Sequence, residues 1–394
     1  MRNILILTLI LALSSCKDSL IAPTVVCTED AGIALNELHP KAAALQAKMD
    51  EYIGKGIPGI TVLIADDDGI WTNSAGYADI ENGIKMQPCH LNKLGSITKM
   101  MVGTLAWQLI QDGLLAIDEP IETYIPDVAN QITNGDEITF GMLLNHTSGI
   151  YDVAGDLNYN LAVVNDFSYS WSSEEILEFM KNKPATHEPG TAISYSNSNT
   201  MIEALIIEKV TGRKHGELLT ERILQPLGMN STVYYDYSDD FPTDRLAQGY
   251  LDFNNDGGAI QNISALNPGS GNGFTGVYST VTDLYRFMKA LMVDKTLTTQ
   301  ENLDEIFASF QLAPGGYWMS SVGAIHNEFR QTLPEDQPAY GHGGGDIGYS
   351  ANLNYLPHNN TIFASTYNYG INLGTALRDE VVNLQVELIE IMAE

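Results

Sequence analysis

Gly95-Ser96-Ile97-Thr98-Lys99-Met100-Met101-Val102-Gly103-Thr104-Leu105-Ala106-Trp107-Gln108-Leu109-Ile110-Gln111 is the strongest helical stretch of the chain. Ile97, Met100, Met101, Leu105, Leu109 and Ile110 are its apolar positions, and Gly113 is its stop. Ser96 stands at the first turn and Lys99 three residues later, nearly one helical turn, so the ammonium lies beside the hydroxyl on one face. A serine hydroxyl is a weak nucleophile until a neighbour takes its proton, and the positive end of a helix favours the oxyanion that results. Ser-x-x-Lys alone is common and describes a solvated pair equally well.

Outward from this helix, the two ends of the chain carry strands. Leu38 to Ile53 repeats apolar residues at three and four, an amphipathic helix. Pro58 to Ala65 and Ile70 to Tyr77 are strands joined by the turn Asp66-Asp67-Asp68-Gly69. On the far side, Ser320 to Arg330, Tyr349 to Leu356 and Thr361 to Asn368 have strand patterns, and Thr375 to Met392 is a closing helix. Between them lie helical patterns at Glu174 to Lys181, Thr200 to Thr211, Glu217 to Leu224 and Thr282 to Met292. The expected class is α+β: an antiparallel sheet built from N- and C-terminal segments and flanked by helices, with a mainly helical region inserted between them. The boundaries are an α/β part at about 36–90 and 315–394 and a helical part at about 91–314.

With 394 residues, 44% of them hydrophobic and 18% charged, the chain can bury a large core. The formal net charge is −29, which repels phosphate backbones and argues against nucleic-acid binding. The start reads as targeting. Met1-Arg2-Asn3 precedes an apolar run from Ile4 to Leu13, too short to span a bilayer, and Leu13-Ser14-Ser15-Cys16 resembles a bacterial lipobox. Residues 1–15 are therefore expected to be a lipoprotein signal peptide, Cys16 the lipidated residue, and 16–35 a tether to an envelope membrane. That compartment allows a disulfide between the two remaining cysteines, Cys27 and Cys89, although spacing alone does not pair them.

Two more segments carry candidate chemistry. Tyr195-Ser196-Asn197 lies in a polar loop before a helix expected to begin near Asn199. A nearby cation would favour the phenolate and make Tyr195 a base, while Asn197 could accept from Lys99 or donate to a substrate amide. Gly341-His342-Gly343-Gly344-Gly345-Asp346 is a glycine loop directly before the strand at Tyr349, where a ligand can approach backbone N–H groups closely.

In this order, Ser96-x-x-Lys99, Tyr195-Ser196-Asn197 and His342-Gly343-Gly344 resemble the serine β-lactamase and penicillin-binding superfamily, nearest its class C branch with D-alanyl-D-alanine carboxypeptidases and family VIII esterases. Asp112 to Pro120, Leu143 to Gly149, Pro226 to Met229 and Gly276 to Thr280 look like further landmarks, so the resemblance runs from about Leu38 to the C-terminus. It implies Ser96 as acylated nucleophile, Lys99 as its proton partner and Tyr195 as general base. It also implies Asn197 as substrate-orienting, and N–H groups of Ser96 and Gly345 as oxyanion hole. No metal and no organic cofactor are implied. The substrate would be a small molecule or peptide, peptidoglycan fragments among the candidates. An esterase of short acyl esters, and a binding protein that has lost turnover, are the competing readings.

The chain departs from the lactamase pattern in carrying His342-Gly343-Gly344 in place of Lys-Thr-Gly, and a mostly neutral histidine anchors a carboxylate poorly. Asn92 stands where relatives usually have an aromatic residue, which implies altered packing only. Asp252 to Gly257 resembles the start of a calcium loop but has Ile263 at the twelfth position, so it reads as a polar turn. His146 reads as structural. His39, His90, His187, His215, His326 and His358 look scattered, and Trp71, Trp107, Trp171 and Trp318 are core or cleft aromatics.

Overall fold

A computed structural model describes residues 21–28, 32–166, 169–236, 241–252, 260–265, 271–316, 318–371, 375 and 377–394. Its main sheet is antiparallel throughout and interleaves both ends of the chain. In order across the sheet, the strands are Ile84–Lys85, Gly69–Asp79, Gly59–Asp66, Thr361–Tyr367, Tyr349–Leu356, Tyr340–Asp346, His326–Asn327, Met319–Ser320 and Gln311–Leu312. The seam between the two ends pairs Ile60 with Tyr367 and Ala65 with Ile362. Gly59–Asp66 is buried along nearly its whole length because both of its faces are covered. Ile60, Val62 and Ile64 pack under the helices Ala42–Gly54 and Arg378–Ala393, while Leu63 joins Ala364 and Leu353 in the larger core around the nucleophile helix.

That helix, Ile97–Gln111, is buried at every residue from Ile97 to Trp107, which is why its apolar residues ring it instead of forming one stripe. Trp107 donates Nε1–H to the Val322 carbonyl at 2.8 Å, satisfying the one polar atom that so large a side chain takes inside.

Local differences from the sequence pattern have identifiable causes. The glycine run expected to be a loop is itself a strand, Tyr340–Asp346, because pairing with Tyr349–Leu356 satisfies its backbone from Tyr340↔Tyr355 to Asp346↔Tyr349. Ser320 to Arg330 is not one strand; it is divided into Met319–Ser320 and His326–Asn327 by a tight turn, with Ala324 at φ 51°. The helix expected near Asn199 begins at Asn197. Leu38 lies outside the first helix and is exposed. The Asn92 amide is buried and donates to Thr366 Oγ1 at 3.2 Å. Cys16 with the rest of 1–20, and residues 253–259 of the calcium-like turn, lie outside the described residues.

Residues 21–28 of the expected tether are docked. Ile21 and Thr24 are buried, Val25 donates its N–H to Asp244 O at 3.0 Å, and Cys27 is joined to Cys89. A crosslink spanning 62 residues restricts the unfolded chain. Replacing both cysteines by serine is expected to lower unfolding free energy by about 2–4 kcal/mol, read as a drop in the urea midpoint at unchanged slope. Among the described residues no helix is long and apolar enough to cross a membrane.

Candidate active site

The spacing of Ser96 and Lys99 has the consequence the helix imposes: Lys99 Nζ lies 2.9 Å from Ser96 Oγ and donates to the Phe274 carbonyl, also at 2.9 Å. Tyr195 arrives from 99 residues away and its hydroxyl donates to Ser96 Oγ at 2.8 Å. Its ring is held from below by His146, 4.4 Å between centroids. His146 is itself fixed by Asn199, whose Nδ2 donates to its Nδ1 at 2.9 Å, and Asn199 Oδ1 accepts from Ser148 at 2.6 Å. The Leu-Asn-His-Thr-Ser-Gly stretch thus serves the cleft from behind.

The electrostatics run opposite to the sequence expectation for the base. Lys99 is fully enclosed and burial pushes its ammonium down to about 7, although the charges of Asp152, Glu203 and Asp346 oppose this. Burial pushes the Tyr195 phenol up, outweighing its hydrogen bond to Ser96, and Glu328 and Asp152 add to the rise. At neutral pH Tyr195 therefore remains a phenol and Lys99 is poised to be an amine. In the resting arrangement both Lys99 Nζ and the Tyr195 hydroxyl donate to Ser96 Oγ; once Lys99 has lost its extra proton, the lone pair of its amine is the acceptor open to the Ser96 proton.

Asn197 does not meet Lys99. Its backbone N–H and its Nδ2 both go to Asp152, at 3.0 Å and 3.3 Å. The first residue of a helix has a spare N–H, and an upstream carboxylate takes it.

Backbone contact builds the wall opposite Tyr195. Gly95, at φ 53°, presses on Gly345, with an added Cβ placed 2.5 Å from Gly345 O, and Gly344 presses on Leu94, with an added Cβ placed 1.9 Å from Leu94 O. Only glycine allows either approach. A buried ion pair, Lys93 to Asp346 at 3.4 Å, pins the end of this strand to the segment just before the nucleophile.

The cleft itself, about 380 Å³, is lined by Ser96, Tyr195, Trp318, His326, Glu328, His342 and Gly343. His326 and Glu328 were not among the sequence candidates. Far from being scattered, His326 stacks on His342 at 3.9 Å between centroids, and Trp318 packs on His326 at 4.9 Å. Two-residue strands have no periodicity to announce them, so only topology reveals this pairing. Glu203 was also missed; it is buried in the Asn197–Thr211 helix and burial pushes it up to about 8.

Ligand-capable atoms of His326, Glu328 and His342 lie within 4.8 Å of one another, as do those of His39, Asp66 and Asp68. The first set has the composition of a zinc site. His342 Nδ1 donates to the Gly343 carbonyl at 2.5 Å, so Nε2, buried without a protein partner, is the only nitrogen of that ring left to hold a metal.

A family model described as Beta-lactamase matches residues 42–386. A protein of Bacillus subtilis (strain 168), provisionally named a penicillin-binding protein, is 26% identical over 72% of this chain and 69% of its own length. An Escherichia coli (strain K12) protein, provisionally named a D-alanyl-D-alanine carboxypeptidase, is 29% identical over 57% of this chain. The match spans 56% of that relative, little more than half its length. The crystal structure of D-amino acid amidase from Ochrobactrum anthropi SV3 complexed with L-phenylalanine amide is similar, with a TM-score of 0.77 and 25% identity, covering 89% of this chain and 97% of that one.

Proposed function

Because this chain belongs to the Beta-lactamase family, we propose that it is a serine hydrolase that cleaves amide or ester bonds through an acyl-enzyme on Ser96, in the manner of a D-amino-acid peptidase or amidase. The observation that carries the reading is the convergence of Lys99 and Tyr195 on the single oxygen Ser96 Oγ, at 2.9 and 2.8 Å. Ser96 Oγ attacks the acyl carbon as its proton passes to the Lys99 amine. The backbone N–H groups of Ser96 and Gly345 receive the oxyanion; the close approach of Gly95 to Gly345 and of Gly344 to Leu94 supports this pairing. Tyr195 gives its proton to the leaving nitrogen and is reprotonated from the Lys99 ammonium; the carbon–nitrogen bond breaks. Water then attacks the ester with the proton transfers reversed, releasing the acid and restoring the serine. The lipobox-like Leu13 to Cys16 supports placing this activity at an envelope membrane.

Intact-protein mass spectrometry after exposure to a fluorophosphonate or a penicillin tests the reading: an adduct on Ser96 is expected, and no adduct with any acylating probe would sink it. Assay of D-alanyl-D-alanine peptides, a chromogenic short-chain ester and a chromogenic cephalosporin then ranks the acyl donors.

The base assignment has its own test. With Lys99 at about 7, log kcat/KM should climb with unit slope below that pH as the amine is freed, and level off above it. A rise that continues toward pH 10 would show a phenolate base instead.

A further inference from the structure

We infer that Glu328 makes the cleft a reader of a substrate ammonium group, so that the acyl donors it takes best are amides and esters bearing a free amine near the scissile bond, and those bearing a carboxylate there are its worst. The inference rests on the hydrolase reading above and names its substrate class.

The carboxylate of Glu328 lines the same cleft as Ser96 and has about a third of its side chain open to solvent. Among the described residues no lysine or arginine lies within ion-pairing distance of it. Its basic neighbours are His326 Nδ1 at 3.3 Å and His342 Nδ1 at 3.9 Å. Both imidazoles are enclosed, and burial pushes each down to about 3, so neither supplies a positive charge at neutral pH. Lys99, behind the cleft, is committed to Ser96 and Phe274. Glu328 is thus a negative charge on a substrate-facing wall with no protein cation to balance it, and a ligand ammonium is the group that completes it.

Gly343 shows that the carboxylate's position is built into the wall. A Cβ at that residue would fall 2.5 Å from Glu328 Oε2, so the carboxylate occupies the space a side chain at 343 would fill. Beyond the single pair His326↔Gly341, the Tyr340–Asp346 strand has an open edge on this side, where a substrate backbone can lie with its amine beside Glu328.

The test uses the whole protein and alanine p-nitroanilide of each enantiomer in three forms: free amine, N-acetyl and N-succinyl, which are cationic, neutral and anionic on one skeleton. The expected order of kcat/KM is cationic, neutral, anionic, with the first at least tenfold above the second. Glu328→Gln should shrink the cationic-to-neutral ratio by about 10- to 100-fold, chiefly through KM, and Glu328→Asp should restore part of it. Gly343→Ala, which displaces only the flexible end of Glu328, should shrink the same ratio. Equal rates on the three forms, or an unchanged ratio in both Glu328→Gln and Gly343→Ala, would overturn the inference and leave the hydrolase reading standing. An amine preference that disappears in EDTA would overturn it in favour of a metal on His326, Glu328 and His342. No cleavage of any form, with no adduct on Ser96, would overturn both.

Discussion

Ser96→Ala is expected to lower kcat/KM on every substrate the protein cleaves by about 10⁴- to 10⁶-fold and to abolish covalent labelling. The size follows from the convergence of two proton-handling groups on one oxygen: without Oγ, neither Lys99 nor Tyr195 has a partner on which to act. Lys99→Met should cost about 10² to 10⁴ for want of the base, and the double variant should be little worse than Ser96→Ala, since residues that act as a unit do not add. Met is the informative replacement. Lys99 is fully buried; a thioether of similar length removes its unfavourable desolvation but leaves the Phe274 carbonyl without its donor, so the two effects should offset and the variant should melt within a few degrees of the parent. Steady-state kinetics, adduct formation and thermal melting on the same samples separate lost chemistry from lost fold. A Lys99→Met protein that acylates at the parent rate would remove Lys99 from the mechanism.

How far the sequence could reach is shown by the same residues. Ser96 and Lys99 share a helix, so their proximity follows from 3.6 residues per turn and was legible directly. The sheet was legible from composition: strands such as Gly59–Asp66 and Thr361–Tyr367 are rich in β-branched, aromatic and small residues and carry no charge before Asp66, as strands buried on both faces do. Tyr195 reached the site only through resemblance, because nothing local encodes a contact across 99 residues. Its protonation could not be read at all. A lysine beside a phenol suggests a phenolate on paper, but burial penalises whichever partner is charged, and only the fold shows that both are enclosed. The sequence carries no sign of Asp152, 45 residues upstream of Asn197, to which the Asn197 backbone N–H and Nδ2 are turned. His326 and Glu328 were invisible because two-residue strands and tight turns leave no pattern.

Gly344→Ala should be the most damaging small change in the glycine strand. The new methyl would fall 1.9 Å from the Leu94 carbonyl oxygen, and neither side can retreat. Leu94 is held by its N–H to Val277 O at 2.9 Å and by its carbonyl to Ile97 N at 3.3 Å, while the strand is paired along its length with Tyr349–Leu356. Strain of this kind costs about 1–3 kcal/mol of stability, and separating the two backbones moves the Gly345 N–H from the Ser96 N–H. One misplaced oxyanion donor is worth roughly 10² to 10³ in kcat, so the variant should remain folded in denaturant titrations yet turn over at least a hundredfold more slowly, with KM changed far less. Gly343→Ala is the matched control, since its methyl meets the movable tip of Glu328 and not a backbone atom, and should leave stability within about 0.5 kcal/mol of the parent. If Gly344→Ala turned over normally, the strand would be a neighbour of the nucleophile without being the wall that stabilises its transition state, and the donors would have to be sought elsewhere around Ser96.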